Sequence, residues 1–190
     1  MRPFEEEVKY IGILGAQRSG KDTFGKISLK YFPSQYMLSA FADVLKEECS
    51  TILPKEEIGW NGKDWSGPKT DRGRKLLQEY GQARRNEIPD YWVDKLAAKT
   101  KAYNNFCTII TDVRYINEIE FVLQNKGIIV YIHNAEKERL FLEEFKKTGI
   151  VHASELQWRL WMACNSSSYK VISNNSTLEE YDVMVKGFQI

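Results

Sequence analysis

The chain has few cysteines, few histidines and no long apolar segment, and these shortages argue against several classes of protein. Its three cysteines, among 190 residues, lie far apart without a Cys-x-x-Cys spacing, so we expect a reducing compartment and neither disulfides nor a structural zinc site. The two histidines, His133 and His152, do not have the spacing of a metal pair. No run approaches the roughly 20 apolar residues that cross a bilayer, and the N-terminal residues lack the apolar stretch of a secretion signal. These features predict a soluble, cytoplasmic protein.

An excess of charge of either sign is also missing. The 27 basic and 26 acidic residues leave a formal net charge of +1, so the chain as a whole has no strong field that would attract nucleic acid or an anionic membrane. We therefore expect small-molecule partners, no nucleic acid polymer and no membrane. An anionic ligand would have to be bound by a local site.

What the sequence does contain is a series of short apolar runs that alternate with helical patterns. Such runs are typical of buried parallel strands, here 10–14, 36–38, 107–111, 128–132 and 169–172. The predicted helices are 21–31, 42–51, 74–85, 90–103 and 116–124, with Gly127 as a stop signal and a capping box near Thr177 opening a last helix. The alternation predicts an α/β fold, in which a parallel β-sheet of about five strands is flanked by helices and ligands bind at the carboxyl ends of the strands.

Length and composition predict how this fold is divided. We expect a single domain over residues 1–190, since domains average about 150 residues. A segment rich in Gly, Pro and Trp opens a predicted substrate-binding helical insertion at 53–105. The charged, helical segment 134–154 is a candidate lid.

The segment 8–23, VKYIGILGAQRSGKDT, has the pattern of a phosphate-binding loop, because an apolar strand enters a glycine-rich turn and then a helix. It fits the G-x-x-x-x-G-K (Walker A) frame, in which backbone N–H groups and the helix N-terminus face phosphate and the lysine reaches the β and γ phosphates. Asp22 stands where Ser or Thr is usual; it either binds metal or orients an acceptor phosphate, or it only stabilises the helix N-terminus. The residues expected to hold ATP phosphates are Gly15, Ser19, Gly20, Lys21, Asp22 and Thr23.

A carboxylate and a guanidinium follow the third predicted strand, in Thr111-Asp112-Val113-Arg114. In phosphate-loop enzymes a carboxylate at this place helps to hold magnesium. Arg114 could clamp a phosphate with two parallel hydrogen bonds, which lysine cannot do. The alternative is an ion pair between Asp112 and Arg114, or a helix cap. Together with the loop, the pattern favours the functional interpretation.

Two further features have both a functional and a purely structural interpretation. In the basic stretch 72–81, Lys75 and Gln78 share a helix face and Gly81 permits close approach, but a solvated basic face has the same pattern. Trp92 could stack on a base or fill the core. Packing is the better interpretation of that residue taken alone.

Taken in order, these motifs resemble those of the bacteriophage deoxynucleoside monophosphate kinases, a branch of the P-loop kinases. The resemblance covers nearly the whole chain. The matching motifs are GKDT at 20–23, F-A-D-x-L-K at 41–46, R-K-L-L-Q-x-x-G at 74–81, Y-W-V at 91–93, T-D-V-R at 111–114, H-x-S-E at 152–155 and an approximate N-x-S-L-E-E at 174–180. Two positions depart from the branch: Asn134-Ala135 replaces Arg-Pro, and Asn174-Asn175-Ser176-Thr177 replaces a late N-D-G-S.

The resemblance implies a P-loop NTPase-type fold and transfer of the γ-phosphoryl group of ATP, with Mg2+, to a deoxynucleoside monophosphate. It implies that Lys21, Asp22, Asp112 and Arg114 are catalytic, and that Asp22, Thr23 and Asp112 hold the metal. The monophosphate-binding residues that it implies are Phe41, Asp43, Lys46, Arg74, Lys75, Gln78, Gly81, Trp92, Asp112 and Arg114. A homodimer is compatible with the resemblance.

Three other functions stay open at this point. One is a P-loop kinase for another small phosphorylated acceptor, because animal-type phosphomevalonate kinases share a loop similar to GKDT. Another is a nucleotide-switch ATPase, which would hydrolyse ATP without a small acceptor. The last is an inactive nucleotide-binding module, to which Asp22 and the altered late motif lend some weight. Because of the two departures, the lid arginines are unassigned, and Arg139 and Arg159 are the nearest candidates.

Overall fold

A computed structural model describes residues 8–52, 70–103 and 105–188. The strands are β1 (Tyr10–Leu14), β2 (Tyr36–Ser39), β3 (Cys107–Ile110), β4 (Gly127–His133) and β5 (Tyr169–Ser173). The helices are α1 (Lys21–Tyr31), α2 (Phe41–Ile52), α3 (Asp71–Glu87), α4 (Tyr91–Thr100), α5 (Ile116–Gln124), α6 (Ala135–Thr148), α7 (Ala153–Cys164) and α8 (Leu178–Gly187). A 3-10 turn, Lys101–Tyr103, follows α4. Among the described helices, none is both long and apolar enough to cross a membrane.

The five strands form one parallel sheet in the order β2-β3-β1-β4-β5. The register pairs Gly12 of β1 with Ile110 on one side and with Ile129 on the other. The predicted parallel sheet of five strands flanked by helices is therefore confirmed. Because the strands are parallel, the segments that follow β1, β3, β4 and β5 all begin at the same edge of the sheet.

The core lies against the central strands, where isoleucine and valine suit a surface buried on both faces. Ile13 of β1 and Ile132 of β4 are fully buried, and Phe24 of α1 and Tyr181 of α8 belong to the same apolar cluster. This packing joins α1, which follows the loop after β1, to the sheet and to α8.

The described residues divide into two compact units. Residues 8–39 and 102–188 contain the sheet, with α1 and α5 to α8. Residues 40–52 and 70–101 contain α2, α3 and α4 around the buried Cys49 and Leu77. The second unit overlaps the predicted insertion 53–105, of which 53–69 and 104 lie outside the described residues. Its role in substrate binding stays a prediction.

The turn between α5 and β4 differs from the prediction. Gly127 was expected to stop the helix, but the helix is capped at Asn125 and Gly127 is the first residue of β4. Lys126 instead takes the left-handed conformation, with φ of 58°. A Cβ at Gly127 would lie 2.4 Å from the carbonyl oxygen of Val122, so glycine is required there for close approach of the chain.

Candidate active site

Lys21 lies at the N-terminus of α1 and is turned back into the loop that follows β1. Its Nζ donates hydrogen bonds to the carbonyl oxygens of Gly15, at 2.9 Å, and Ala16, at 2.7 Å. The residue is 9% exposed. Its pKa is lowered from 10.5 to about 8, chiefly by burial and next by the positive charge of Arg114, while the charges of Glu155, Asp22 and Asp112 partly offset both effects. An anion that reached this ammonium group would restore its charged form.

The turn into α1 is held from two other elements. Gly20 has φ of 104°, and a Cβ there would lie 2.3 Å from Nδ2 of Asn174. Asn174, in the segment after β5, donates to the carbonyl oxygen of Ser19 at 2.7 Å. Tyr181 of α8 donates to the carbonyl oxygen of Gly20 at 3.2 Å. The glycine is thus needed both for its conformation and for the close approach of Asn174.

The Ser19 hydroxyl is buried in this loop without a partner. Ser19 is 0% exposed, and its Oγ is one of two buried side-chain polar atoms of the described residues that lack a hydrogen bond, the other being Nε1 of Trp158. A buried hydroxyl without a partner is costly unless a ligand supplies one. A phosphate oxygen in the loop would do so, and the helix N-terminus favours an anion at the same place.

The candidate metal ligands fit magnesium by type. Mg2+ is usually held by one or two carboxylates together with phosphate oxygens and water. Asp22 and Asp112 supply two carboxylates whose charges both act on Lys21, and Thr23 adds a hydroxyl. In the described part of the chain no group of three or more His, Cys, Asp or Glu could hold a metal ion. By residue type, the two carboxylates and the hydroxyl fit magnesium.

Arg114 is fixed through its backbone as well as its side chain. Glu118, which is 2% exposed, accepts hydrogen bonds through Oε2 from the backbone N–H of Arg114, at 2.8 Å, and of Tyr115, at 3.1 Å. The Nη1 of Arg114 donates to Glu155 at 2.7 Å and to the Ser154 hydroxyl at 3.3 Å. The ion pair of Arg114 is therefore with Glu155, rather than the pair with Asp112 that the sequence left open.

Glu155 also binds a second arginine. Its Oε2 accepts from Nη1 of Arg159 at 2.7 Å, and Nη2 of Arg159 donates to Glu138 of α6 at 2.9 Å. The Arg159 guanidinium lies 3.7 Å from the ring centre of Phe141 and 4.0 Å from that of Trp158. Arg159, one of the two candidate lid arginines, thus connects α6 to α7.

The two positions that depart from the phage branch contact each other. Nδ2 of Asn134 donates to the carbonyl oxygen of Asn174 at 2.6 Å, and the backbone N–H of Ala135 donates to Oδ1 of Asn175 at 2.7 Å. The asparagines therefore join the ends of β4 and β5 beside the loop.

The motif H-x-S-E caps a helix. His152 precedes α7, and its Nδ1 accepts from the backbone N–H of Ser154 at 3.2 Å. The cap orients the first turn of α7, which carries Ser154 and Glu155. The candidate lid 134–154 consists of α6 with its flanking residues, and no residue of α6, all of which are described, is buried.

In the second unit, the residues predicted to bind the monophosphate lie on α2, α3 and α4. Asp43 and Lys46 of α2 form an ion pair at 3.0 Å. Arg74, Lys75 and Gln78 are exposed on α3. Buried members of the set are Phe41, Lys46, Gly81 and Trp92. Binding of a substrate by any of these residues stays a prediction.

Trp92 has the surroundings of a packing residue. It is 2% exposed, and its Nε1 donates to the carbonyl oxygen of Gly81 at 3.0 Å. Its ring meets that of Tyr91 edge to face, with centroids 4.9 Å apart. These contacts favour the core interpretation of the tryptophan over stacking on a substrate base.

Sequence reasoning missed the carboxylate that joins the helices of this unit. Glu48 of α2 accepts from Tyr80 of α3 at 2.5 Å and from Tyr91 of α4 at 2.8 Å, and it pairs with Lys95 of α4 at 2.9 Å. Partners that are far apart in sequence leave no spacing signal. Glu118 lies three residues after Tyr115, the N-cap of α5, which is the spacing of the glutamate in a capping box.

Comparison with known proteins identifies the fold. No protein-family model matches the chain, and no curated protein matches it. Among solved structures, a dephospho-CoA kinase from Campylobacter jejuni is similar with a TM-score of 0.55 and 11% identity, over 93% of each chain. A gluconokinase from Sinorhizobium meliloti gives a TM-score of 0.47 and 16% identity, over 95% of this chain and 90% of the other. A shikimate kinase from Acinetobacter baumannii gives 0.42 and 13%, over 96% and 91%.

The chain therefore has an α/β fold like that of P-loop kinases, and the predicted P-loop NTPase-type fold is confirmed. At 11% identity the likeness concerns the fold alone. The bacteriophage branch stays a prediction.

Proposed function

We propose that this protein is an ATP-dependent deoxynucleoside monophosphate kinase, which transfers the γ-phosphoryl group of ATP to a dNMP and releases a dNDP and ADP. The observation that carries the proposal is the presence of two separate phosphate-type groups in one compact unit. Lys21 lies in the loop after β1, and Arg114 follows β3 closely enough for its charge to lower the pKa of Lys21. A donor phosphate chain and an acceptor phosphate need two such groups.

Phosphoryl transfer of this kind depends on position and charge more than on covalent chemistry. The ammonium group of Lys21 and the N-terminus of α1 would neutralise the donor phosphates. Arg114 would align the acceptor phosphate for in-line attack, and a phosphate oxygen, already anionic near neutral pH, needs no general base. Closure of 134–154 would exclude water and suppress hydrolysis of ATP.

Asp22, Asp112 and Thr23 would hold the magnesium ion that accompanies ATP. When bound, the ion would neutralise charge on the β and γ phosphates. The two carboxylates also raise the pKa of Lys21, against the larger lowering effect of burial. They would therefore help to keep that side chain protonated.

The choice of a deoxynucleoside monophosphate as acceptor rests on the ordered motifs. The GKDT, F-A-D-x-L-K and T-D-V-R motifs at 20–23, 41–46 and 111–114 occur in the order of the phage branch. Any one of them alone would be a weak signal. Their order, together with the fold, makes this acceptor class the first to test.

The test is ADP production from magnesium ATP with each deoxynucleoside and ribonucleoside monophosphate added separately. Phosphomevalonate and dephospho-CoA complete the acceptor panel, and a reaction without acceptor is the control. ADP that depends on one or more dNMPs, with the matching diphosphate as product, supports the proposal. ADP formed equally without acceptor indicates an ATPase, and dependence on phosphomevalonate or dephospho-CoA alone indicates another small-molecule kinase.

A further inference from the structure

The H-x-S-E motif contributes more than a helix cap, because its glutamate, Glu155, forms ion pairs with two arginines. Oε1 of Glu155 accepts from Arg114 and Oε2 accepts from Arg159, each at 2.7 Å. The carboxylate is largely buried, with 16% of its side chain exposed, against 31% for Arg114 and 18% for Arg159. Partly buried, charge-assisted contacts of this length hold side chains more firmly than exposed ion pairs do.

The contact with Glu155 uses only one end of the Arg114 guanidinium. Both side-chain hydrogen bonds of Arg114, to Glu155 and to Ser154, come from Nη1. Nε and Nη2 point the same way and form the edge that binds a phosphate with two parallel bonds. Within 8–52, 70–103 and 105–188, no hydrogen bond involves that edge. Glu155 therefore restrains the arginine without occupying the edge that an acceptor phosphate would use.

The second arginine connects this restraint to α6. Arg159 binds Glu155 through Nη1 and Glu138 of α6 through Nη2, and its guanidinium also lies against Phe141 of α6. No residue of α6 is buried, and Glu138 and Phe141 are the α6 residues that contact Arg159. Arg159 and Glu155 therefore link α6 to Arg114 through a continuous series of side-chain contacts.

We infer that Glu155 is a positioning residue for phosphoryl transfer: it holds Arg114 by Nη1, with the Nε and Nη2 edge open to the acceptor phosphate, and ties that arginine through Arg159 to α6. The inference rests on the proposed function. An arginine released from Glu155 would still bind phosphate, but in many orientations. The loss should therefore fall on kcat more than on KM, since alignment matters most in the transition state.

The test is a double-mutant cycle on Glu155 and Arg114. Wild type, Glu155→Gln, Arg114→Ala and the double variant are compared for kcat and KM of the best dNMP at saturating magnesium ATP. We expect Glu155→Gln to lower kcat by about 10- to 100-fold, which is the scale for a misplaced catalytic group. In the Arg114→Ala background, Glu155→Gln should lower kcat by less than about 3-fold, because both substitutions act through the side chain of Arg114.

The matched control is Glu87→Gln, which removes a carboxylate from another arginine ion pair, with Arg84 at 3.0 Å in the second unit. It should leave kcat and KM unchanged. Glu155→Asp is the second variant, for use if Glu155→Gln fails to fold. It keeps the charge and should retain the fold, but its shorter side chain should also lower kcat. Equal losses from Glu155→Gln in both backgrounds, or an unchanged kcat in Glu155→Gln and Glu155→Asp, would overturn the inference.

A binding experiment separates this inference from the proposed function. If the wild type phosphorylates no acceptor, the proposed function fails, and the four proteins of the cycle are titrated with inorganic pyrophosphate by calorimetry. The loss of affinity in the double variant is compared with the product of the losses in Glu155→Gln and Arg114→Ala. A difference of more than about 3-fold would support positioning of Arg114 by Glu155. Additive effects would overturn it.

Discussion

Binding of a nucleotide should make this protein take up a proton, because Lys21 is partly neutral when the loop is empty. Its pKa is lowered to about 8, chiefly by burial and next by the charge of Arg114. At pH 8 about half of the molecules then carry an uncharged Lys21 amine. The phosphates of a bound nucleotide favour the ammonium form, so binding at pH 8 should take up about 0.5 proton per chain.

The sign and the size of the effect both depend on pH. Below the lowered pKa the amine is already protonated, and uptake should fall to about 0.1 proton at pH 7. Well above pH 8 uptake should approach one proton, and affinity should weaken as the proton becomes harder to acquire. The shift from 10.5 to about 8 corresponds to ~3 kcal/mol against the charged form in the empty loop, which bound phosphates would offset.

The assay is calorimetric titration with a non-hydrolysable ATP analogue and magnesium, at pH 7 and pH 8, in two buffers of different ionisation enthalpy. The difference in apparent binding enthalpy between the buffers gives the number of protons taken up. Lys21→Arg is the matched control, because arginine stays charged throughout this range and should bind without proton uptake. Equal enthalpies in both buffers at pH 8 for the wild type, or the same uptake in Lys21→Arg, would refute the reasoning.

Three further predictions concern single side chains. Arg114→Lys should lower kcat/KM for the acceptor by about 100-fold and leave the KM for ATP unchanged, because lysine cannot supply a bidentate contact; unaltered acceptor kinetics would remove this arginine from the site. Gly20→Ala places a Cβ 2.3 Å from Nδ2 of Asn174 at a φ of 104°, and should lower the free energy of unfolding in urea by about 1–3 kcal/mol, whereas wild-type stability would show that the turn adapts. Trp92→Ala should cost about 3–5 kcal/mol in the same assay, and a small cost with a raised dNMP KM would instead indicate base stacking.

The fold could be predicted largely from local pattern. Strand β1 and helices α1 and α5 have the predicted bounds, because an apolar run, a glycine turn and an amphipathic helix each leave a local signal. Helix α4 is shorter than expected and ends at Thr100 in a 3-10 turn. Gly127 was misassigned because close approach to Val122 and a helix stop both call for glycine, and the sequence cannot separate them.

The candidate site was predictable only where its residues follow strands. Lys21, Asp112 and Arg114 stand at the carboxyl ends of β1 and β3, which is where a parallel sheet presents its ligands. The partner of Arg114 could not be found in the same way. Glu155 is 41 residues away, and a contact of that kind depends on how α7 packs, which no spacing encodes.

The contacts of Asn174 could not be predicted from the sequence either. It opens the stretch 174–177 that departs from the phage branch, and its side chain holds the carbonyl oxygen of Ser19 while its backbone oxygen accepts from Asn134. The changed residues Ala135 and Asn175, separate in sequence, also form one contact, because the backbone N–H of Ala135 donates to Oδ1 of Asn175. A pairwise substitution of this kind is visible only when β4 and β5 are placed side by side.

The measurement that tests the central claim most directly follows the γ-phosphoryl group itself. Wild-type protein is incubated with magnesium ATP labelled in the γ-phosphate and a single dNMP, and the labelled products are separated. The account predicts label in the matching dNDP, lost in Lys21→Ala, with little in inorganic phosphate. Label that appears only in inorganic phosphate, or that stays in ATP with every dNMP, would contradict it.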